Sequence, residues 1–191
     1  MDDQVKNTIL EIALKLFQRF GYQKTTVEEI AREAQIGKGT VYLHFKSKEE
    51  ILLTIIRNYQ QSTIEEWIRI VHKSWPLEKK ISTMLKSNIA EIQRSREEIS
   101  LATLPPRLLQ SVLKMAESTR SHRLILLSTV LEPLFQPENQ TAIRNRNRLA
   151  RVLLDSANNI IFRLDMDKSF PWEEFMDDSL ELLLNKSEKK E

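Results

Sequence analysis

Residues 25–52 read TTVEEIAREAQIGKGTVYLHFKSKEEIL, and the order of caps, breaks and apolar positions within them sets the fold of the chain. Thr26 is followed three positions later by Glu29. That is the spacing of a capping box, in which hydroxyl and carboxylate each satisfy a backbone N–H left open at a helix start. The pattern predicts a short helix from about Val27, with Val27, Ile30, Ala31 and Ala34 on its buried face and Glu28, Arg32 and Glu33 in water. After Gln35 and Ile36, the Gly37-Lys38-Gly39 break leads into Thr40–Phe45. There Val41 and Phe45 lie four apart and anchor one face. The opposite side carries Lys38, Thr40, Tyr42 and His44, and no acidic residue between Gln35 and Lys48 offsets Lys38, Lys46 and Lys48. A small surface of cations and hydroxyls suits phosphate. Ser47 and Glu50 repeat the capping-box spacing, so another helix starts there, its free N–H groups and dipole open to a phosphate. Two short helices around a tight turn, the second with an exposed polar face, make the helix-turn-helix layout.

The run Thr25-Thr26, Ile30-Ala31, Ala34, Lys38-Gly39-Thr40, Tyr42, Phe45, Lys48-Glu49 resembles the N-terminal DNA-binding domain of the TetR (tetracycline-repressor-like) family of bacterial regulators. The likeness covers about the first quarter of the chain; beyond it, only length and helix pattern agree. The resemblance implies a homodimer, a three-helix N-terminal reader and an all-helical C-terminal domain that binds an inducer. Carried over by position, Thr26 and Lys48 match phosphate contacts at helix starts, and Lys38, Thr40, Tyr42 and His44 match the recognition helix. With their neighbours, the expected DNA-binding set is Thr25, Thr26, Lys38, Gly39, Thr40, Tyr42, Leu43, His44 and Lys48. Two positions depart from the family pattern. Gly37 stands where many members have serine or another small capping residue, and Leu43 where many have a second aromatic or polar contact. A leucine there suits a thymine methyl and cannot bond a phosphate.

Composition sets the outer limits. The 191 residues are 41% hydrophobic and 29% charged, enough to bury a core in one or two domains. Apolar runs fall far short of the ~18 residues needed to cross a bilayer, and the N-terminus has no signal-peptide pattern. The expectation is a soluble cytoplasmic protein associated with the nucleoid and with no membrane partner. The chain has no cysteine, which excludes disulfides, thiol catalysis and cysteine-ligated zinc, and its three histidines are scattered; neither a metal nor a cofactor is expected. A net charge of +2 means that any DNA-binding potential must be local. All three glycines fall within the first 39 residues and all six prolines follow Trp75, where they punctuate helical patterns.

In order, the sequence predicts an all-α chain of about nine helices. The first runs from about Asp3 to Phe20 and is ended by Gly21. The fourth starts at Ser47 and runs toward Ser74, or breaks near Gln60–Thr63. The fifth covers Leu77–Arg94, a short sixth covers Glu97–Leu104, and the seventh covers Arg107–Leu131. The eighth, from about Glu138 to Leu164, and the ninth, from Pro171 to Asn185, are apolar almost all round and need burial on two sides. They are expected to form a four-helix dimer seam through Leu153, Ala157, Ile160, Ile161, Leu164, Phe175, Leu180 and Leu183. The expected division is a reader over 1–48, a ligand-binding and dimerisation domain over 49–186 and a frayed tail over 187–191. Arg144, Arg146, Arg148 and Arg151 are read as a solvated face or as ion pairs with the acidic last helix, against a second nucleic-acid patch.

Asn88 and His122 sit on apolar stripes. Each is either an internally satisfied polar group or a contact to a small-molecule ligand. The function expected is a sequence-specific regulator, a repressor released from an inverted-repeat operator by that ligand. The alternative is a DNA-bound adaptor of the same fold that docks a protein partner. With no nucleophile motif, phosphate loop or metal set, an enzyme is not expected.

Overall fold

The computed structural model describes the backbone of residues 2–188 and the side chains through residue 182. Among the described residues it is all-helical: α1 (Asp2–Phe20), α2 (Val27–Glu33), α3 (Lys38–His44), α4 (Lys48–Val71), α5 (Leu77–Glu98), α6 (Pro106–Leu131), α7 (Gln140–Met166) and α8 (Trp172–Glu188), with single 3₁₀ turns at Leu101–Thr103 and Glu132–Leu134. None of these helices is long and apolar enough to cross a membrane.

Local chemistry explains the boundaries. Gly21 closes α1 at φ 83°, in the left-handed region that glycine enters without strain, and its N–H returns to the Phe17 carbonyl at 2.9 Å. The expected sixth helix is replaced by a 3₁₀ turn. Helix α5 continues to Glu98, Ser100 turns extended, and Leu104 is held extended before the Pro105-Pro106 pair. Pro106 then opens α6, where its missing N–H costs nothing. Helix α4 has no break at Gln60–Thr63: the segment contains neither glycine nor proline and the helix runs unbroken to Val71. Asn139 starts α7, its side chain accepting the Ala142 N–H at 2.9 Å.

The chain forms two compact units. One consists of Met1–Gln61 with Arg94–Glu117. Its core joins Ile9, Ala13 and Phe17 of α1 to Ile30, Val41 and Phe45, and to Ile51, Leu52, Ile55 and Ile56 of α4, with Leu104, Leu108 and Val112 completing it. The other consists of Ser62–Gln93 with Ser118–Glu191. Its core is built on Trp67, Met84, Leu85, Ile89, Leu127, Leu131, Leu153, Leu154 and Ile160. Helices α4, α5 and α6 each contribute residues to both units.

Candidate nucleic-acid interface

The sequence places α3 through two devices. The capping box at α2 is complete: the Thr26 hydroxyl accepts the Glu29 N–H at 3.2 Å and the Glu29 carboxylate accepts the Thr26 N–H at 2.8 Å. The turn after α2 is a Schellman closure, with the Ile36 N–H on the Ala31 carbonyl at 3.0 Å and the Gln35 N–H on that of Arg32 at 3.1 Å. Gln35 occupies the left-handed position at φ 54°, where glycine is usual, which is why the sequence shows a break only at Gly37. Gly37 then caps α3 through its carbonyl alone, accepting the Thr40 N–H at 2.9 Å.

With Val41 fully buried and Phe45 nearly so, α3 shows Lys38, Gly39, Tyr42 and Leu43 to solvent, and Thr40 is half-buried. Leu43 is 85% exposed, the most exposed large apolar side chain described. The Lys38 ammonium lies 5.7 Å from the centre of the Tyr42 ring. It also pairs with the Glu28 carboxylate of α2, a partner that sequence spacing did not reveal because the contact bridges two helices. That hydrogen bond holds the Glu28 pKa below and the Lys38 pKa above their ordinary values.

Three other residues of the expected DNA-binding set have structural work. Thr25 is buried and its hydroxyl donates to the carbonyls of Gly21 at 3.0 Å and Leu16 at 3.3 Å. Lys48 turns inward. Its ammonium donates to the carbonyls of Thr25 at 2.6 Å, Tyr22 at 2.7 Å and Gln23 at 3.3 Å and lies 4.4 Å from the Tyr22 ring centre, and burial lowers its pKa. His44 is also turned in, with a side chain only 10% exposed and Nδ1 3.5 Å from the Asp2 carboxylate. In all three, tertiary contacts with α1 and the loop after it engage the polar atoms. Ser47 does cap α4, its hydroxyl accepting the Glu50 N–H at 3.1 Å, but the Glu50 carboxylate accepts the Lys46 N–H at 2.7 Å, one residue earlier than a capping box requires.

In the second unit Asn88 is buried, as its stripe implied, and its carboxamide is satisfied: Nδ2 donates to Asn158 Oδ1 at 3.2 Å, and Oδ1 accepts from Arg123 at 2.7 Å. His122 is not on the inner face. It is exposed, with Nδ1 2.9 Å from the Ser118 carbonyl, and Arg123 takes the inner position. The Arg123 side chain is 8% exposed, pairs with Glu91, and leaves its Nε without a hydrogen-bond partner. Its guanidinium carbon sits 5.9 Å from the Trp67 ring centre. The signal for it was the line Thr119, Arg123, Leu127, Leu131, one residue off the stripe through His122 and Leu126.

The expected dimer residues divide. Leu153, Ala157, Ile160, Ile161, Leu164 and Leu180 are buried inside the protomer's own core, whereas Phe175 is exposed; the Leu183 side chain and residues 189–191 of the tail lie outside the described residues. Four of the expected residues, Leu153, Ile160, Phe175 and Leu180, also line a groove of about 530 Å³ on α7 and α8, together with the exposed Val152 and Leu182 and with Ser156, Asn159 and Arg163. Of the arginine run, Arg146 pairs with Glu138 at 3.3 Å and Glu132 at 3.9 Å, at the start of α7 and not with α8.

Residues 9–55 match the family model described as bacterial regulatory proteins, tetR family. The chain is 45% identical over 65 residues, 34% of this chain and 22% of the other, to the uncharacterized HTH-type transcriptional regulator YuxN of Bacillus subtilis. It spans only a fifth to a third of the length of the curated relatives it matches. Among solved structures, a transcriptional regulator from Aquifex aeolicus VF5 is similar at TM-score 0.65 and 25% identity, covering 95% of this chain and 98% of that one. The regulator FadR from Bacillus subtilis in complex with stearoyl-CoA is similar in fold at TM-score 0.66 and 18% identity, covering 92% and 96%. Residues 9–55 thus match the helix-turn-helix domain of tetR-family regulators, and the whole chain shares its fold with solved bacterial transcriptional regulators.

Proposed function

We propose that the chain is a homodimeric, cytoplasmic DNA-binding regulator, with a reader over residues 1–48 and a sensing and dimerising part over 49–186. In this reading it is a repressor, released from an inverted-repeat operator by a small molecule. The observation that carries DNA reading is the exposed, acid-free face of α3, with Lys38, Gly39, Tyr42 and Leu43 presented together on a helix anchored by Val41 and Phe45. The groove of α7 and α8 supports dimerisation, because an exposed apolar face on a TetR fold fits a second copy of itself. Protein capture on that face in place of a second copy is the adaptor reading.

The polar cluster of Asn88, Arg123, Glu91 and Asn158 supports sensing: it is set in an apolar core and holds one arginine N–H in reserve. Because a relative of the same fold is described in complex with stearoyl-CoA, a long-chain acyl thioester is the first probe to try. A ligand that biases the set of α4 would change the spacing of the two recognition helices, and by linkage operator and ligand would weaken each other by the same factor. Operator binding is to be titrated with and without stearoyl-CoA and with any compound that raises the melting temperature. Reduced operator affinity in the presence of a bound ligand supports regulation. Tight ligand binding with unchanged operator affinity favours the adaptor, since equal affinity for both states shifts nothing.

A further inference from the structure

Val41 of α3 and Phe45 just after it are buried in the core, and Leu43 lies on the opposite side of the helix from Val41. Leu43 packs against little of its own chain, so its side chain does no visible work for the fold. Four residues before it, on the same face, is Gly39, where an added Cβ would meet nothing within 4 Å. Helical side chains lean toward the N-terminus, so Leu43 reaches over a stretch of bare backbone. The result is a small, flat apolar spot inside a surface with no acidic residue from Gln35 to Lys48, flanked by the Lys38 ammonium and the Tyr42 ring. In the major groove the one apolar group that marks a base is the 5-methyl of thymine, and a close-approaching backbone with an aliphatic side chain is the surface that accepts it.

We propose that Leu43, over Gly39, is a specificity-determining residue that selects thymine in each operator half-site through its 5-methyl group. This rests on the DNA-reading function proposed above. The full-length protein is first used to select duplexes from a random library, and each thymine of the selected site is then replaced singly by deoxyuridine, which removes only the methyl. The expected result is a loss of about four-fold in affinity at one or two positions of each half-site, the worth of one buried methyl group. Leu43→Ala, which circular dichroism should find folded because the side chain is exposed, should bind thymine and deoxyuridine equally at those positions and remain sensitive elsewhere. Wild-type protein indifferent to every replacement, or Leu43→Ala with the wild-type pattern of sensitivity, would overturn the proposal while leaving DNA reading intact. Failure to enrich any sequence would remove both.

Discussion

Lys48 in the N-terminal unit and Arg123 in the C-terminal unit are both drawn out of water, but by different kinds of partner. Lys48 gives its ammonium to backbone carbonyls of Tyr22, Gln23 and Thr25, which move only if the loop between α1 and α2 moves. Arg123 gives its guanidinium to side chains, the Glu91 carboxylate and the Asn88 amide, and keeps Nε unpaired. Side-chain partners can rotate away at the cost of a rotamer change, whereas backbone partners require a local refolding. The difference suits the proposed roles, a DNA reader that must keep its shape and a sensor whose buried polar groups can exchange partners with a ligand.

The largest effects should come from the inner and outer faces of α7. Ala157→Arg places an unpaired charge at a site with no solvent exposure and should abolish folding of the C-terminal unit, seen as loss of cooperative unfolding. Val152→Arg, on the exposed groove, should fold normally and elute as a monomer in light scattering. If Val152→Arg remains a dimer, the second copy binds elsewhere. Next, Arg123→Met strands the Glu91 carboxylate, which is 13% exposed, and should cost ~3–5 kcal/mol in denaturant unfolding. Adding Glu91→Leu should recover part of that loss, and a double variant less stable than the single one would show that the pair is not the source. Lys48→Met removes the carbonyl clamp and should cost ~1.5–3 kcal/mol of stability. Its operator affinity at a temperature where it is folded should change little, in contrast to a phosphate-contacting lysine. Smallest is Glu28→Gln, which frees Lys38. Both side chains are well exposed, so stability should hold while operator affinity rises slightly and its salt dependence steepens, as one more cation becomes available to phosphate.

The reader was legible because its signals are local. Thr26 with Glu29, Gly21 after Phe20, and Val41 four before Phe45 are each decided within one helical turn, and the structure has all three. Roles set by distant neighbours were not legible: nothing near Lys48 announces that carbonyls some two dozen residues earlier will claim it. In α6 the helical line drifts with length, and a one-residue drift exchanged His122 for Arg123. In α7 the apolar residues Val152, Leu153, Leu154, Ile160, Ile161 and Phe162 come in consecutive runs that spread round the helix, so the sequence did not separate the face that fills the protomer's own core from the face left outside. Gln35 concealed its turn because a left-handed residue that is not glycine leaves no mark in the sequence.

The central claim is that the exposed face of α3 reads DNA, and the most direct test removes its two long polar side chains together. Lys38→Ala/Tyr42→Ala should retain the wild-type circular dichroism spectrum and melting behaviour, since both side chains are exposed. Against the wild-type operator, at several salt concentrations, it should lose ~1–3 kcal/mol of binding for each contact that reaches a base, and any phosphate contact should flatten the salt slope. A folded double variant that binds the operator with wild-type affinity and salt dependence would contradict the account.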